Sequence, residues 1–259
     1  MVDSDIKKLG FTMAEVLITL GIIGIVAAMT IPQVINGYKE REYIAKLKKF
    51  YTIINQTMMM AVEDNGEIEN WGLEQAGNSA DPSEEQIEKN KITRERFFDI
   101  ITPYLKVLYR CNDREKECPT YARKSLDGTE FNKFTERLVL ADGTTIVGLT
   151  VLSPTCELEY GTSKALKNVC GEFMIDLNGS KPPNKTGEDV FLFYYTKYGV
   201  IPCGMSEITK SNRTFESMCN KSVSDKINGY ACTAWVIFNE NMDYLHCTDL
   251  SWSGKKKCK

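Results

Sequence analysis

Histidine is the scarcest residue of the chain: His246 is the only one among 259 residues. Ser-His or Cys-His catalysis would have to rest on it alone, and an imidazole flanked by apolar residues and beside Cys247 reads as structural. No Cys-x-x-Cys pair occurs, so neither a thioredoxin motif nor a zinc ribbon is readable. The Walker lysine pattern is also missing. Gly21 and Gly24 lie in an apolar run that follows no strand, which makes them helix-contact positions and not a phosphate loop. Neither sign of charge dominates: 32 basic side chains against 35 acidic ones leave a net charge of −3, with no basic stripe for nucleic acid. These absences argue against an enzyme. They also leave any motor that would drive the protein to another chain.

Long apolar runs are absent everywhere but one place. Phe11 to Ile35 carries a single charge, Glu15, and follows Lys7 and Lys8. At about 1.5 Å per residue that run spans roughly 37 Å as a helix, enough to cross a ~30 Å hydrocarbon core. Lysines before the run keep the N-terminus cytoplasmic and place the C-terminal bulk outside. A carboxylate inside a membrane helix costs on the order of 2.5–3.5 kcal/mol and therefore marks a function.

The junction itself is specific. Lys7-Lys8-Leu9-Gly10 is followed by Phe11, Thr12 and a carboxylate at Glu15, the fifth residue counted from Phe11, inside an apolar helix that carries Pro32. This pattern resembles the cleavage and methylation motif of type IV prepilins and type II secretion pseudopilins. The resemblance implies cleavage after Gly10 by a prepilin peptidase on the cytoplasmic face and N-methylation of Phe11. It also implies assembly through the helix, with Glu15 and Pro32 as assembly residues and other pilin or pseudopilin subunits and an inner-membrane platform as partners. The new Phe11 ammonium would lie one turn from Glu15, which can neutralise it within the chain or pair with that of a neighbouring subunit. Alternatively, Glu15 is an incidental carboxylate snorkelling to the interface.

A secretory signal peptide is the competing reading, but Val26-Ala27-Ala28 is a poor cleavage site and the helical period does not stop there. Ile44, Leu47, Phe50, Tyr51, Ile54, Met58 and Ala61 continue it at spacings of three and four, against a charged opposite face. The organisation expected is a leader over 1–10, a long helix over 11–63 that is transmembrane over 11–35, and an extracytoplasmic domain over 64–259. Residues 64–96 are its connecting loop. Glu63 to Arg96 holds ten acidic and four basic residues, which serve either as a partner face or as a solvated connection. From Phe97 to Leu108 the apolar residues recur at helical spacing.

All nine cysteines fall on the side expected to be outside, which implies an oxidising compartment and disulfides. Cys111, Cys118, Cys156, Cys170, Cys203, Cys219, Cys232 and Cys247 are the pairing candidates. Cys111–Cys118 and Cys156–Cys170 are the short loops favoured, and Cys258 is the odd thiol. Asp142-Gly143 marks a hairpin between apolar runs, Gly171–Leu177 and Val190–Tyr195 form a second strand pair, and Thr233–Phe238 reads as a further strand. The segment D-x-N-G-x-x-x-P-N-x-x-G-x-D-x-F, between Cys170 and Tyr198, is similar to one common in pseudopilin-like proteins. Asp176, Asn178 and Asp189 within it suit calcium as oxygen ligands, or else belong to an Asn-Gly turn through backbone geometry. The fold expected is α+β: a long N-terminal helix, membrane-spanning in its first half, packed on an antiparallel sheet in pilin-like order. A minor tip subunit or adhesin that binds a surface ligand is the alternative, and a tethered enzyme stands third.

Overall fold

The computed structural model describes residues 12–75, 83–112 and 116–258. Helix α1, Met13–Asn65, is 53 residues long. The chain divides into two units, Met1–Glu42 and Tyr43–Lys259, so the second begins inside the helix.

In the first unit Met13–Ile31 is long and apolar enough to cross a membrane, with a mean hydropathy of 2.2 and none of it buried. Its polar side chains bond within the helix. The Thr19 hydroxyl donates to the Glu15 and Val16 carbonyls, each at 2.9 Å, and Thr30 to the Val26 carbonyl at 2.9 Å. Hydroxyls satisfied in this way need no water, which is what a lipid environment requires.

In the second unit one stripe of α1 is buried: Tyr43, Leu47, Phe50, Ile54, Met58 and Ala61. Its target is an antiparallel sheet of six strands in the order β1-β4-β5-β6-β7-β8. These are β1 (Val107–Arg110), β4 (Leu138–Leu140), β5 (Thr145–Val151), β6 (Val169–Asp176), β7 (Val190–Thr196) and β8 (Gly199–Pro202). Strands β2 (Thr120–Lys124) and β3 (Glu130–Thr135) form a separate hairpin. Phe173 and Phe193 are cross-strand partners, and their rings stack at 5.6 Å. Phe50 meets both, at 6.2 and 5.7 Å. β7 is buried at every position because Phe191, Phe193 and Tyr195 face the helices while Leu192 and Tyr194 face a second cluster with Leu166, Ile208 and Met218. A strand covered on both faces loses polar alternation and reads as a continuous apolar run.

Three expectations need correction. The stretch 64–96 is not all loop: α2, Glu84–Ile101, starts inside it behind a reciprocal capping box between Ser83 and Gln86. Its first turns are exposed on every side, so they carry no apolar stripe, and burial begins at Thr93. That helix stops at Ile101 and does not reach Leu108. A 3-10 turn, Thr102–Tyr104, with Pro103 near its start, leads into strand β1. Finally, Thr233–Phe238 is not a strand. It lies in helix α3, Cys232–Asn239, whose residues from Cys232 to Ile237 are all buried. Short apolar runs buried on all sides give no period by which strand and helix can be told apart.

Candidate functional site

The first candidate is the start of α1. Thr12 is the residue before the helix, and it and Glu15 cap one another. The Thr12 amide and hydroxyl donate to Glu15 Oε2 at 2.8 and 2.9 Å, and the Glu15 amide donates to Thr12 Oγ1 at 3.2 Å. This arrangement satisfies helix-terminal N–H groups that lipid cannot hydrate. It also holds the carboxylate at the N-terminal end of the helix, where the dipole favours negative charge. Gly10 and Phe11 lie outside the described residues. Pro32 lies inside α1, well past its first turn. The Thr-x-x-Glu spacing before an apolar run is the signal in the sequence for this cap.

The second candidate is the loop between β6 and β7, where Asp176 and Asp189 are both fully buried. Asp176 Oδ1 accepts the Asn178 amide at 3.1 Å and Oδ2 the Tyr121 hydroxyl at 3.0 Å. Asp189 Oδ1 accepts the Lys185 amide at 2.7 Å and Oδ2 the Asn184 amide at 3.0 Å. Burial, with the charge of Asp189 adding to it, pushes Asp176 well above the usual carboxylate range. Burial does the same to Asp189, against the pull of its two amide donors. Asn178 Nδ2 donates to the Tyr43 hydroxyl at 2.9 Å, which ties the loop to α1, while Asn178 Oδ1 is buried with no partner. Burial and the Asp189 charge raise the Tyr43 hydroxyl to about 12.

Two buried carboxylates and an unpartnered amide oxygen make an oxygen donor set of the kind a hard cation takes. Every carboxylate oxygen nevertheless accepts a hydrogen bond from within the chain, so the loop is closed by its own donors as an Asx-turn scaffold is. Among the described residues no cluster of three His, Cys, Asp or Glu side chains could hold a metal.

The cysteines form four bridges: Cys111–Cys118, Cys156–Cys170, Cys219–Cys232 and Cys247–Cys258. Two expectations are therefore reversed, since Cys203 is the free thiol and Cys258 is bonded. Cys203 follows β8 in the second buried cluster, where its thiol donates to the Tyr194 hydroxyl at 3.2 Å and burial pushes it up to about 12. The C-terminal tail is held against the domain instead. The Cys258 amide donates to Asp243 Oδ2 at 2.6 Å, and the Lys256 ammonium to the Ser251 carbonyl at 3.0 Å. The lone His246 is exposed and lies outside both candidate sites.

These features define a class: an apolar N-terminal helix with a capped carboxylate in its first turn, continuing into a disulfide-braced α+β domain. The chain belongs to a family of unknown function, DUF6613, which matches residues 33–242. No curated protein and no solved structure matches it.

Proposed function

We propose that the protein is a structural subunit, a pilin or pseudopilin, of a type IV pilus or type II secretion filament. It is cleaved after Gly10, methylated on Phe11 and assembled through α1. The observation that carries this reading is Glu15: one carboxylate, capped by Thr12 in the first turn of an otherwise uncharged stretch that can span a membrane. A residue so placed has a use when apolar helices pack side by side, because it gives the Phe11 ammonium a partner inside the bundle. Before assembly the subunit sits in the cell membrane with its N-terminus cytoplasmic and its disulfide-bonded domain outside. Its partners are the lipid bilayer, the prepilin peptidase, the assembly platform and other pilin-like subunits, and it has no catalytic or nucleic-acid-binding role.

Intact-mass measurement of the purified mature protein tests the reading. A chain that starts at methylated Phe11 supports it, and a chain that retains Met1 to Gly10 in a host with a prepilin peptidase overturns it. A tip subunit or adhesin is the second reading, favoured by the concentration of all four disulfides beyond residue 110.

A further inference from the structure

A cleft of about 370 Å³ opens near the C-terminus, lined by Met205, Ser206, Thr214, Glu216, Trp252 and Ser253. We propose that it binds a neutral pyranose, one ring of a glycan. That volume falls at the small end of the ~300–1,000 Å³ typical of ligand clefts, the size of one sugar unit. A pyranose ring combines an apolar C–H face with a rim of hydroxyls, and the cleft presents both complements. Trp252 and Met205 supply apolar surface; the Ser206 and Ser253 hydroxyls and the Glu216 carboxylate supply the polar contacts, while the Thr214 hydroxyl is held by Ser217. The Ser206 and Ser253 hydroxyls have no partner among the described residues, and Glu216 uses only Oε1, which accepts the Trp252 amide at 2.8 Å.

The walls are fixed in advance. The Trp252 indole N–H donates to the Gly204 carbonyl at 2.8 Å, and its ring packs at 5.2 Å from Trp235 and 6.2 Å from Phe215. The bridges Cys219–Cys232 and Cys247–Cys258 brace the segments that carry Glu216 and Trp252. Groups held this way lose little freedom on binding, which suits a weakly binding ligand.

The charges select against other ligands. An anionic sugar or phosphate would meet the Glu216 carboxylate in the lining. A cationic ligand would compete with Lys256, whose ammonium already lies 5.1 Å from the centre of the Trp252 ring. A neutral polyol avoids both conflicts.

The full chain, held in a zwitterionic detergent without a sugar headgroup, is applied to an array of neutral, sialylated and sulfated glycans. The methyl glycoside of the terminal sugar of each hit is then titrated by saturation-transfer NMR. Neutral glycans bind in the expected result, and Glu216→Gln and Ser253→Val each weaken binding about tenfold with an unchanged melting temperature. Both are preferred to Trp252→Ala, which removes a packed ring. Binding to acidic glycans only, to no neutral glycan, or equally by wild type and both variants would overturn the proposal. Each of those outcomes leaves leader cleavage and filament assembly where they stand, so the two readings fail separately.

Discussion

The Asn55 carboxamide oxygen accepts the Val200 amide at 2.9 Å. Val200 lies in β8, the last strand of the sheet, so α1 provides the acceptor that another strand would otherwise provide. An open edge is where sheets join unintended partners, and here the helix closes part of it.

Asn55→Leu leaves the Val200 amide unpaired against the helix and should cost about 1–3 kcal/mol. Asn55→Asp keeps an acceptor and should cost less. Urea denaturation of the detergent-solubilised chain, followed by aromatic circular dichroism, measures both; equal losses would contradict the edge-capping role.

Phe50 is the ring through which α1 grips the sheet. Phe50→Ala should destabilise the domain by about 3–5 kcal/mol, the usual range for truncating a buried phenylalanine. Phe50→Leu, which retains much of the volume, should recover over half of that in the same assay.

Glu15→Gln separates two roles that Glu15→Ala removes together. Glutamine at this position still completes a capping box with Thr12 but carries no charge to offer the Phe11 ammonium that the proposed cleavage would create. If the ion pair drives assembly, both variants are cleaved and inserted normally and both fail to enter sheared filaments. Filaments formed by Glu15→Gln and not by Glu15→Ala would assign the residue to helix capping alone.

The buried Asp176–Asp189 pair sets a pH dependence whose sign follows from its environment. Both acids titrate near 3.8 when unfolded and higher when folded. The folded state therefore holds more protons across that interval, and the pair's contribution to stability declines as pH rises from the ordinary carboxylate range through the raised one. Asp176→Asn, whose amide can donate to the Tyr121 hydroxyl, should flatten the melting-temperature profile there. Millimolar calcium should raise the wild-type melting temperature above neutral pH if Asp176, Asn178 and Asp189 ligate it, and leave it unchanged if the loop is only a turn.

Cys203 should resist thiol reagents in the folded protein and react once unfolded, whereas Cys258 should yield no free thiol in either state. Non-reducing peptide mapping checks the pairing directly. In the loop-entropy account each bridge contributes about 2–3 kcal/mol.

Residues with a strong period could be read from the sequence, and residues without one could not. The buried stripe from Tyr43 to Ala61 kept helical spacing because one face meets the sheet and the other meets solvent. The β4–β5 turn was legible through Asp142-Gly143, where Gly143 takes a positive φ of 84°. The first turns of α2 were missed because a helix exposed all round has polar residues all round. Helix α3 reads as a strand for the opposite reason. At the site, composition picked out Asp176 and Asp189, but Tyr121 and Tyr43, far away in sequence, could be joined to them only by the fold. The Trp252 cleft draws its lining from three separate segments and left no local pattern to read.

The disulfides span sequence separations of only 7, 14, 13 and 11 residues, and no two bridges interleave. A chain emerging residue by residue into an oxidising space would meet each second cysteine within a short stretch of its first. Every bridge can close before the next first cysteine appears, except that Cys203 emerges between the second and third and must stay unpaired. Correct pairing is then a matter of order of arrival, and Cys203 is withdrawn from the competition once β8 docks and buries it.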